Sequence, residues 1–230
     1  MRNYPPICER LSCLQTELEN KMTLNISIAY HSGYGHTEAL AKAVEGGVRR
    51  FSTAQPHLID VTQINEAGWA QLAQSDAIIF GSPTYMGAVS GPFKTFMDRT
   101  SKIWMERGWQ NKLAAGFTVS GSQSGDKFAT LSQLATLAAQ HGMLWVSLGL
   151  LPGNHSSTSS IDDLNRIGGS IGAMAQANTD QGADLAPPQA DRETAALLGE
   201  RVARLAADFK NGRMAQDISA QPEVRMAKAG

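Results

Sequence analysis

Short apolar segments alternate along the chain with longer segments whose apolar residues recur every three or four positions. The apolar segments predict five buried β-strands, over 24–30, 57–61, 76–80, 113–119 and 144–151. The other segments predict five amphipathic helices, one that begins near Thr37 and four over 67–74, 91–103, 128–140 and 193–209. Strands that alternate with helices indicate an α/β fold in which helices cover both faces of a parallel sheet.

The two ends of the chain lack this alternation. We predict that residues 1–22 form a disordered N-terminal extension, or result from an over-long translation start, and that 213–230 form a disordered tail. Residues 23–212 then make up a single domain. Within it, 154–188 is a long segment rich in Gly, Ser and Ala. A loop of that length is usually functional, an interface element or mobile.

Composition narrows the possible partners of this domain. The 230-residue chain has 42% hydrophobic residues, 18% charged residues and a net charge of −1, so no strong field attracts nucleic acid or a membrane surface. No apolar run is long enough to span a bilayer. The two cysteines, Cys8 and Cys13, are too few for a zinc site or a disulfide framework. We therefore predict no metal site and a cytoplasmic location.

The loop after the first predicted strand carries the strongest functional signal. Ligands of parallel α/β sheets bind at the carboxyl ends of the strands. This loop, 31–37, contains glycines, Ser32 and Thr37 but lacks the Lys that a nucleotide-triphosphate loop needs. The following helix directs free N–H groups and the positive end of its dipole at the loop. We predict a site for a phosphate monoester, with an ordinary tight turn as the alternative.

Two later loops follow predicted strands at the same edge of the sheet. The loop over 81–92 supplies hydrogen-bond donors, an aromatic ring and a thioether with almost no charge. This chemistry suits a flat, uncharged heterocycle better than a sugar or a peptide. The loop over 120–126 adds further donors. Each loop alone could be a glycine-rich turn, but three such loops at corresponding strand ends favour one shared ligand site.

Five segments of the chain resemble the flavodoxin-like quinone reductases of the WrbA type. They are Tyr-His-Ser-Gly-Tyr-Gly-His-Thr at 30–37, Ile-Ile-Phe-Gly-Ser-Pro-Thr-Tyr-Met-Gly at 78–87, Phe-Lys-Thr-Phe-Met-Asp at 93–98, Lys-Leu-Ala at 112–114 and His-Gly-Met at 141–143. The resemblance runs from about Leu24 to Gly212. It implies a flavodoxin-like three-layer sandwich with five parallel strands in the order 2-1-3-4-5. It also implies noncovalent FMN, NADH or NADPH as electron donor, quinones as acceptors, and a homotetramer.

The resemblance further implies roles for individual residues. The FMN phosphate would be held by Ser32, Gly33, Tyr34, Gly35, His36 and Thr37. The isoalloxazine ring would lie between two loops, formed by Pro83, Thr84, Tyr85, Met86 and Gly87 and by Ser120, Gly121, Ser122, Gln123, Ser124 and Gly125. Tyr34 matches a contact of the nicotinamide nucleotide, and Trp104 a residue of the substrate pocket. His141 matches a histidine near the flavin, where it could orient or protonate the acceptor.

Some of these residues have simpler interpretations. His141 follows a predicted helix, where an imidazole can cap the last carbonyl groups. Trp104 lies in a segment whose aromatic residues can belong to the core or to an interface. The chain also departs from the family pattern, which commonly has Arg-Phe at 85–86 and more glycine at 122–124. These departures concern the ring and the choice of quinone rather than the phosphate loop.

Charge separates the two leading functions. The runner-up is a flavodoxin-type electron carrier, which surrounds its flavin with acidic groups and docks to redox proteins. At ~10 Å and an effective dielectric of ~20, each carboxylate costs an anionic reduced flavin about 1.7 kcal/mol. The three loops contain one acidic residue, Asp126. We therefore predict two-electron hydride transfer from NADH or NADPH through FMN to quinones, in a ping-pong cycle. A flavin-free α/β binding module is the third possibility.

Overall fold

A parallel β-sheet forms the centre of the structure, a computed structural model that describes residues 23–220. The strands of this part of the chain are β1 (Leu24–Tyr30), β2 (Ala54–Asp60), β3 (Ala77–Tyr85), β4 (Ala88–Val89), β5 (Leu113–Ser120), β6 (Leu144–Trp145) and β7 (Ala173–Gln176). Their order is β2-β1-β3-β5-β6, all parallel, with β7 also parallel to β5. The short β4 forms an antiparallel hairpin with the end of β3.

Helices cover both faces of this sheet. They are α1 (His36–Arg49), α2 (Glu66–Gln74), α3 (Gly91–Arg99), α4 (Ser101–Met105), α5 (Lys127–Gln140) and α6 (Gln189–Ala220). The side chains of β3 alternate between two apolar clusters, since Ile79 packs with α1 and α6 whereas Ile78 and Phe80 pack with α2, α3 and α5. Full burial stabilises each such side chain by about 1.5–3 kcal/mol. The three-layer α/β sandwich predicted from the sequence is confirmed. Its strand order 2-1-3-4-5 is confirmed as well, because β5 and β6 are the fourth and fifth predicted strands and the short β4 is an addition to β3.

Close packing of α1 on α6 fixes the helix that begins at the phosphate loop. A β-carbon on Gly47 would overlap the carbonyl oxygen of Ala196, and one on Gly199 would overlap that of Val44. These two glycines therefore let the helix backbones approach each other, and Val44 and Val202 are fully buried along the contact. The N-terminus of α1 is thus held at a defined place on the sheet.

The last predicted strand, over 144–151, is present at its predicted place in the sheet but is confined to Leu144–Trp145. Strand β6 ends at Trp145, and the N–H of Val146 makes a last hydrogen bond to the carbonyl oxygen of Ala114 on β5 at 2.7 Å. The chain then leaves the sheet until β7 pairs with the second half of β5. Val119 and Ser120 therefore pair with Ala175 and Gln176 instead of with the continuation of β6. The long segment predicted as a loop, 154–188, accordingly contributes a strand to the sheet.

Several element boundaries also differ from the predictions. Strand β2 begins at Ala54 rather than at 57, and the helix predicted over 91–103 is divided at Thr100 into α3 and α4. Helix α6 runs on to Ala220 although its apolar stripe ends at Phe209, because helix propensity does not require an apolar face. It therefore passes the boundary predicted for the disordered tail. The predicted extension, 1–22, and residues 221–230 lie outside the described residues.

Within residues 23–220, no helix has both the length and the apolar composition needed to cross a membrane.

Candidate functional site

The loop between β1 and α1 offers hydrogen-bond donors and no cation. Gly35 precedes the first residue of α1 and has a φ of 86°, in the left-handed region that favours glycine. No side chain caps this helix end, so the first N–H groups of the helix are available to an anion. The Ser32 hydroxyl is buried and has no hydrogen-bond partner among the described residues. Together with Thr37 in the first turn, this donor set suits a phosphate monoester.

A pair of tyrosines stands beside the phosphate loop. The rings of Tyr34 and Tyr85 meet edge to face, with centroids 6.3 Å apart. The Tyr85 hydroxyl lies so close to Gly33 that a β-carbon there would be 2.5 Å from the oxygen. Burial, and secondarily Tyr34, raises the pKa of Tyr85, so its hydroxyl is protonated at neutral pH. The neighbouring Met86 is fully exposed. Tyr34 and Met86 thus present apolar surface at the open side of the site.

A buried network of hydroxyl groups fixes the end of β3. The Thr118 hydroxyl donates to the carbonyl oxygen of Ser82 at 2.7 Å. The Thr84 Oγ1 lies 2.8 Å from Oγ1 of both Thr118 and Thr130. Each hydroxyl carries one proton, so Thr84 donates to Thr118 and accepts from Thr130. This satisfied network holds Thr84 rigidly at the cleft. Its members on β5 and α5 were missed from the sequence, because only loop residues were considered.

A buried lysine holds the loop after β5 from beneath. The Lys127 ammonium donates to the carbonyl oxygens of Ser122 and Gln123 at 2.8 Å and to that of Ser124 at 3.4 Å. Burial lowers the pKa of Lys127 from its ordinary value of 10.5 to about 8, so the group is still charged at neutral pH. Lys127 was not predicted as a site residue, since nothing in the sequence distinguishes it from a lysine on the helix surface.

A fourth segment, 177–181, completes the site and was not predicted. It follows β7, and the N–H of Ala177 donates to the carbonyl oxygen of Ser120 at 3.0 Å. Further hydrogen bonds join the segment and the last residue of β7 to the other loops. The His36 Nε2 donates to the carbonyl oxygen of Gln181 at 2.8 Å, so this predicted phosphate contact here links α1 to the segment. The Gln176 side-chain amide donates to the carbonyl oxygen of Gly121 at 3.2 Å. The segment was missed because it lies within the long stretch predicted as a single loop.

These four segments surround one cleft, formed by two adjoining cavities of about 580 and 600 Å³. Both cavities are lined by Thr84, Ser120, Gly121 and Thr179. The predicted site residues that line one or both are Tyr34, His36, Thr37, Pro83, Thr84, Tyr85, Met86, Gly87, Ser120, Gly121, Ser122 and Gly125. The remaining predicted residues of the same loops are Ser32, Gly33, Gly35, Gln123 and Ser124. A cleft of this volume suits a small organic cofactor.

Few charged side chains reach this cleft. Asp126 and Asp180 line one cavity and are both exposed. Among the described residues that line either cavity there is no Lys or Arg. From the sequence, Asp126 was the one acidic residue predicted in the ligand loops, because 177–181 was not predicted to lie at the site. The two exposed carboxylates are screened by solvent, whereas the charge of Lys127 is buried beneath the loop.

Two predicted site residues lie away from the cleft of their own chain. Trp104, on α4, is half-exposed and lines neither cavity. His141 follows α5, which carries the chain back from the carboxyl end of β5 to the edge of the sheet where β6 begins. Its ring packs on that of Trp109, with centroids 4.6 Å apart, and its Nε2 lies 2.9 Å from the Thr100 Oγ1. His141 is therefore part of the core at the opposite edge of the sheet.

The hydrogen bonds around His141 determine its tautomer. The Thr100 hydroxyl donates to the carbonyl oxygen of Met97 at 2.7 Å, so it accepts from the N–H at Nε2 of His141. Nδ1 is buried and has no partner in the described part of the chain. Burial lowers the pKa of His141, which keeps the ring neutral. The imidazole thus bonds to Thr100 and does not cap the last carbonyl groups of α5.

The cleft fits FMN. The unpartnered Ser32 hydroxyl and the free N–H groups of α1 match a phosphate group that needs no cation. At Gly35 a β-carbon would lie 2.9 Å from that of Ala183, so glycine also keeps the space beside the phosphate loop open. The 81–87 and 120–125 loops then offer two polar but nearly uncharged walls for a planar ring.

Comparisons with known proteins identify the family. Residues 31–155 match the family described as NADPH-dependent FMN reductase. Flavodoxin FldP of Pseudomonas aeruginosa is 46% identical over 77% of this chain and 94% of its own length. The NAD(P)H dehydrogenase (quinone) of Paracoccus denitrificans is 32% identical over 82% of this chain and 97% of its own. A solved WrbA-like flavodoxin from Agrobacterium tumefaciens is 42% identical and has a TM-score of 0.63, covering 81% of this chain and 99% of that one. The chain therefore belongs to the NADPH-dependent FMN reductase family, as a flavodoxin-like protein of the WrbA type.

Proposed function

We propose that this protein is an FMN-dependent NAD(P)H:quinone oxidoreductase, which reduces quinones by two electrons in a ping-pong cycle. The observation that carries the proposal is the cleft at the carboxyl edge of the sheet. There a cation-free phosphate site adjoins two nearly uncharged loops and opens to solvent beside Met86. Membership of an FMN reductase family and similarity to a quinone dehydrogenase of Paracoccus denitrificans support the same reaction.

Each part of the cleft has its own task in this reaction. The Ser32 hydroxyl, Thr37 and the free N–H groups of α1 hold the FMN phosphate. The 84–87 and 120–125 segments hold the ring, and the hydroxyl network behind Thr84 keeps the first of them in position. When bound, FMN supplies the hydride chemistry between nicotinamide and quinone. Tyr85, whose hydroxyl lies against Gly33, borders the phosphate loop and limits the space beside it.

The open side of the cleft accounts for the order of substrates. Tyr34 and Met86 are largely exposed there and can contact a nicotinamide or a quinone ring in turn. Because the two substrates then share one position, the oxidised nicotinamide leaves before the quinone binds. No Lys or Arg among the described residues lines either cavity, so no side chain is assigned to a ribose phosphate. The proposed electron donor is therefore NADH or NADPH.

We also propose a homotetramer with a cytoplasmic location. Trp104 and Met105 are exposed at 53% and 73%, which suits an interface around α4. The nearby Trp109 does not contribute its side chain to such an interface, because that side chain is fully buried within its own chain. Any contribution of Trp104 or His141 to a flavin site would have to reach the cleft of a neighbouring subunit. Light scattering of the FMN-loaded protein at micromolar concentration tests the assembly, and a monomer would exclude it.

A flavodoxin-type electron carrier is the second candidate. The specific observation that favours it is the 46% identity to the Pseudomonas aeruginosa protein named flavodoxin FldP. A carrier would bind FMN in the same cleft, but its partners would be redox proteins rather than quinones.

Two measurements on the purified protein test the proposal. Titration of FMN-free protein with FMN, followed by quenching of flavin fluorescence, should give saturable binding of one FMN per chain. Oxidation of NADH or NADPH by the loaded protein should then depend on added quinone. Binding without quinone-dependent oxidation of either nucleotide would favour the carrier, and the absence of binding would refute both functions.

A further inference from the structure

The three peptide groups bound by Lys127 share one direction. The carbonyl oxygens of residues 122–124 all accept hydrogen bonds from its buried ammonium. In a planar trans peptide group the C=O and the N–H point in opposite directions. The N–H groups of residues 123–125 therefore point away from Lys127, toward the exposed side of the loop. None of these N–H groups donates to an acceptor in the described part of the chain.

These free donors border the cleft. Ser122 and Gly125, at the two ends of the turn, both line the cavity that Met86 also lines. A β-carbon on Gly125 would overlap the Ser120 hydroxyl, which itself donates to the carbonyl oxygen of Ser122 at 2.9 Å. The turn is therefore held in one conformation from both sides, with its carbonyl oxygens inward and its N–H groups outward. Successive N–H groups arranged in this way make a concave site for negative charge.

Lys127 also belongs to a buried group of charges with a net positive sign. Arg166 and Asp191 form an ion pair at 2.7 Å and both act electrostatically on Lys127. Since the charges of that pair cancel, the ammonium leaves one positive charge beneath the loop. Asp126 and Asp180 at the cleft are exposed, and solvent screens them more strongly than it screens a buried charge.

We propose that Lys127 is a positioning residue that prepares the 120–126 loop to stabilise negative charge on reduced FMN. It does so by turning three N–H groups outward and by placing a buried positive charge beneath them. This inference rests on the proposed function, and it explains how two-electron reduction is tolerated beside Asp126 and Asp180. At about 10 Å and an effective dielectric of about 20, one unit charge changes the binding of another on the order of tenfold.

The test uses three substitutions in the full-length, FMN-loaded protein. Lys127→Met removes charge and donors, Lys127→Gln keeps an amide donor without charge, and Lys127→Arg keeps the charge. For each variant, the dissociation constant of oxidised FMN is measured by fluorescence titration and the two-electron midpoint potential by equilibration with a reference dye. Together these give the preference of the protein for reduced over oxidised FMN.

We expect both neutral variants to lower that preference by about tenfold, which corresponds to a potential about 30 mV lower for a two-electron couple. Lys127→Arg should keep it within about threefold, since the guanidinium retains the charge. An unchanged preference in a folded neutral variant would overturn the role of Lys127 while leaving the proposed function intact. If neither neutral variant folds but Lys127→Arg does, the role is structural and the inference is again overturned. Failure of the unmodified protein to bind FMN would instead refute the proposed function.

Discussion

Arg166 and Asp191 form a two-pronged ion pair that is almost removed from solvent. The Arg166 Nε and Nη2 lie 2.7 and 2.9 Å from the two carboxylate oxygens, and the two side chains are 10% and 1% exposed. The same carboxylate accepts the backbone N–H of Gln176 at 2.8 Å. Asp191 thereby joins the segment 146–172, strand β7 and the first turn of α6. The position of 177–181 at the cleft depends on these contacts of Asp191 with Arg166 and Gln176.

Loss of this ion pair should destabilise the whole domain. Asp191→Asn is expected to lower the free energy of unfolding by about 3–5 kcal/mol, because it leaves the Arg166 guanidinium buried without its counter-charge. The matched control is Asp98→Asn, which breaks the exposed pair with Lys94 and should cost less than about 1 kcal/mol. Urea unfolding followed by circular dichroism measures both. A loss for Asp191→Asn no larger than the control's would contradict this account.

The phosphate loop should not tolerate a β-branched residue at Gly35, the last residue before α1. Gly35→Val is expected to weaken FMN binding by at least about 100-fold, because valine cannot adopt a φ of 86° without strain and its side chain would meet Ala183. Flavin titration measures the effect. Gly46→Val, in the same helix, serves as control, since a β-carbon there has open space around it. Equal affinities of Gly35→Val and the unmodified protein would exclude the assigned phosphate site.

His141 should make stability depend on pH. Burial lowers its pKa in the folded protein below the ordinary 6.5, so between these two values the unfolded chain binds more protons. Its contribution to stability is therefore complete above pH 6.5 and is lost as the pH falls toward the folded pKa, by up to about 1.4 kcal/mol per pH unit. The pKa values of His31 and His57 are also lowered by burial and add in the same direction.

Unfolding measured from pH 7 to pH 5 should therefore be less pH-dependent in His141→Gln than in the unmodified protein. Identical slopes for His141→Gln and the unmodified protein would mean that the imidazole is not held neutral by its contacts with Thr100 and Trp109.

The sheet and three of its ligand loops could be predicted because β1 alternates apolar and polar residues, β3 and β5 begin with apolar runs, and a turn that contains glycine follows each of these runs. Strand β7 could not. Its sequence, Ala-Met-Ala-Gln at 173–176, has weak strand propensity. It becomes a strand because β6 ends after two residues and leaves the second half of β5 with unpaired backbone groups.

Two further features of the site depend on tertiary structure that no local pattern specifies. Because lysine is rarely buried, no sequence pattern predicts that Lys127 lies beneath the loop and binds three of its carbonyl groups. The roles predicted for His141 and Trp104 came from matching their positions to those of the family pattern. Only the return of α5 to the far edge of the sheet shows that His141 lies away from the cleft of its own chain.

Anaerobic reductive titration of the FMN-loaded protein, followed by absorption, tests the central claim most directly. The nearly uncharged loops and the buried Lys127 predict direct conversion of oxidised to two-electron-reduced flavin, with little one-electron-reduced flavin at any point, and rapid reoxidation by added quinone. A large, stable population of one-electron-reduced flavin, together with no quinone-dependent oxidation of NADH or NADPH, would contradict the account and identify the protein as an electron carrier.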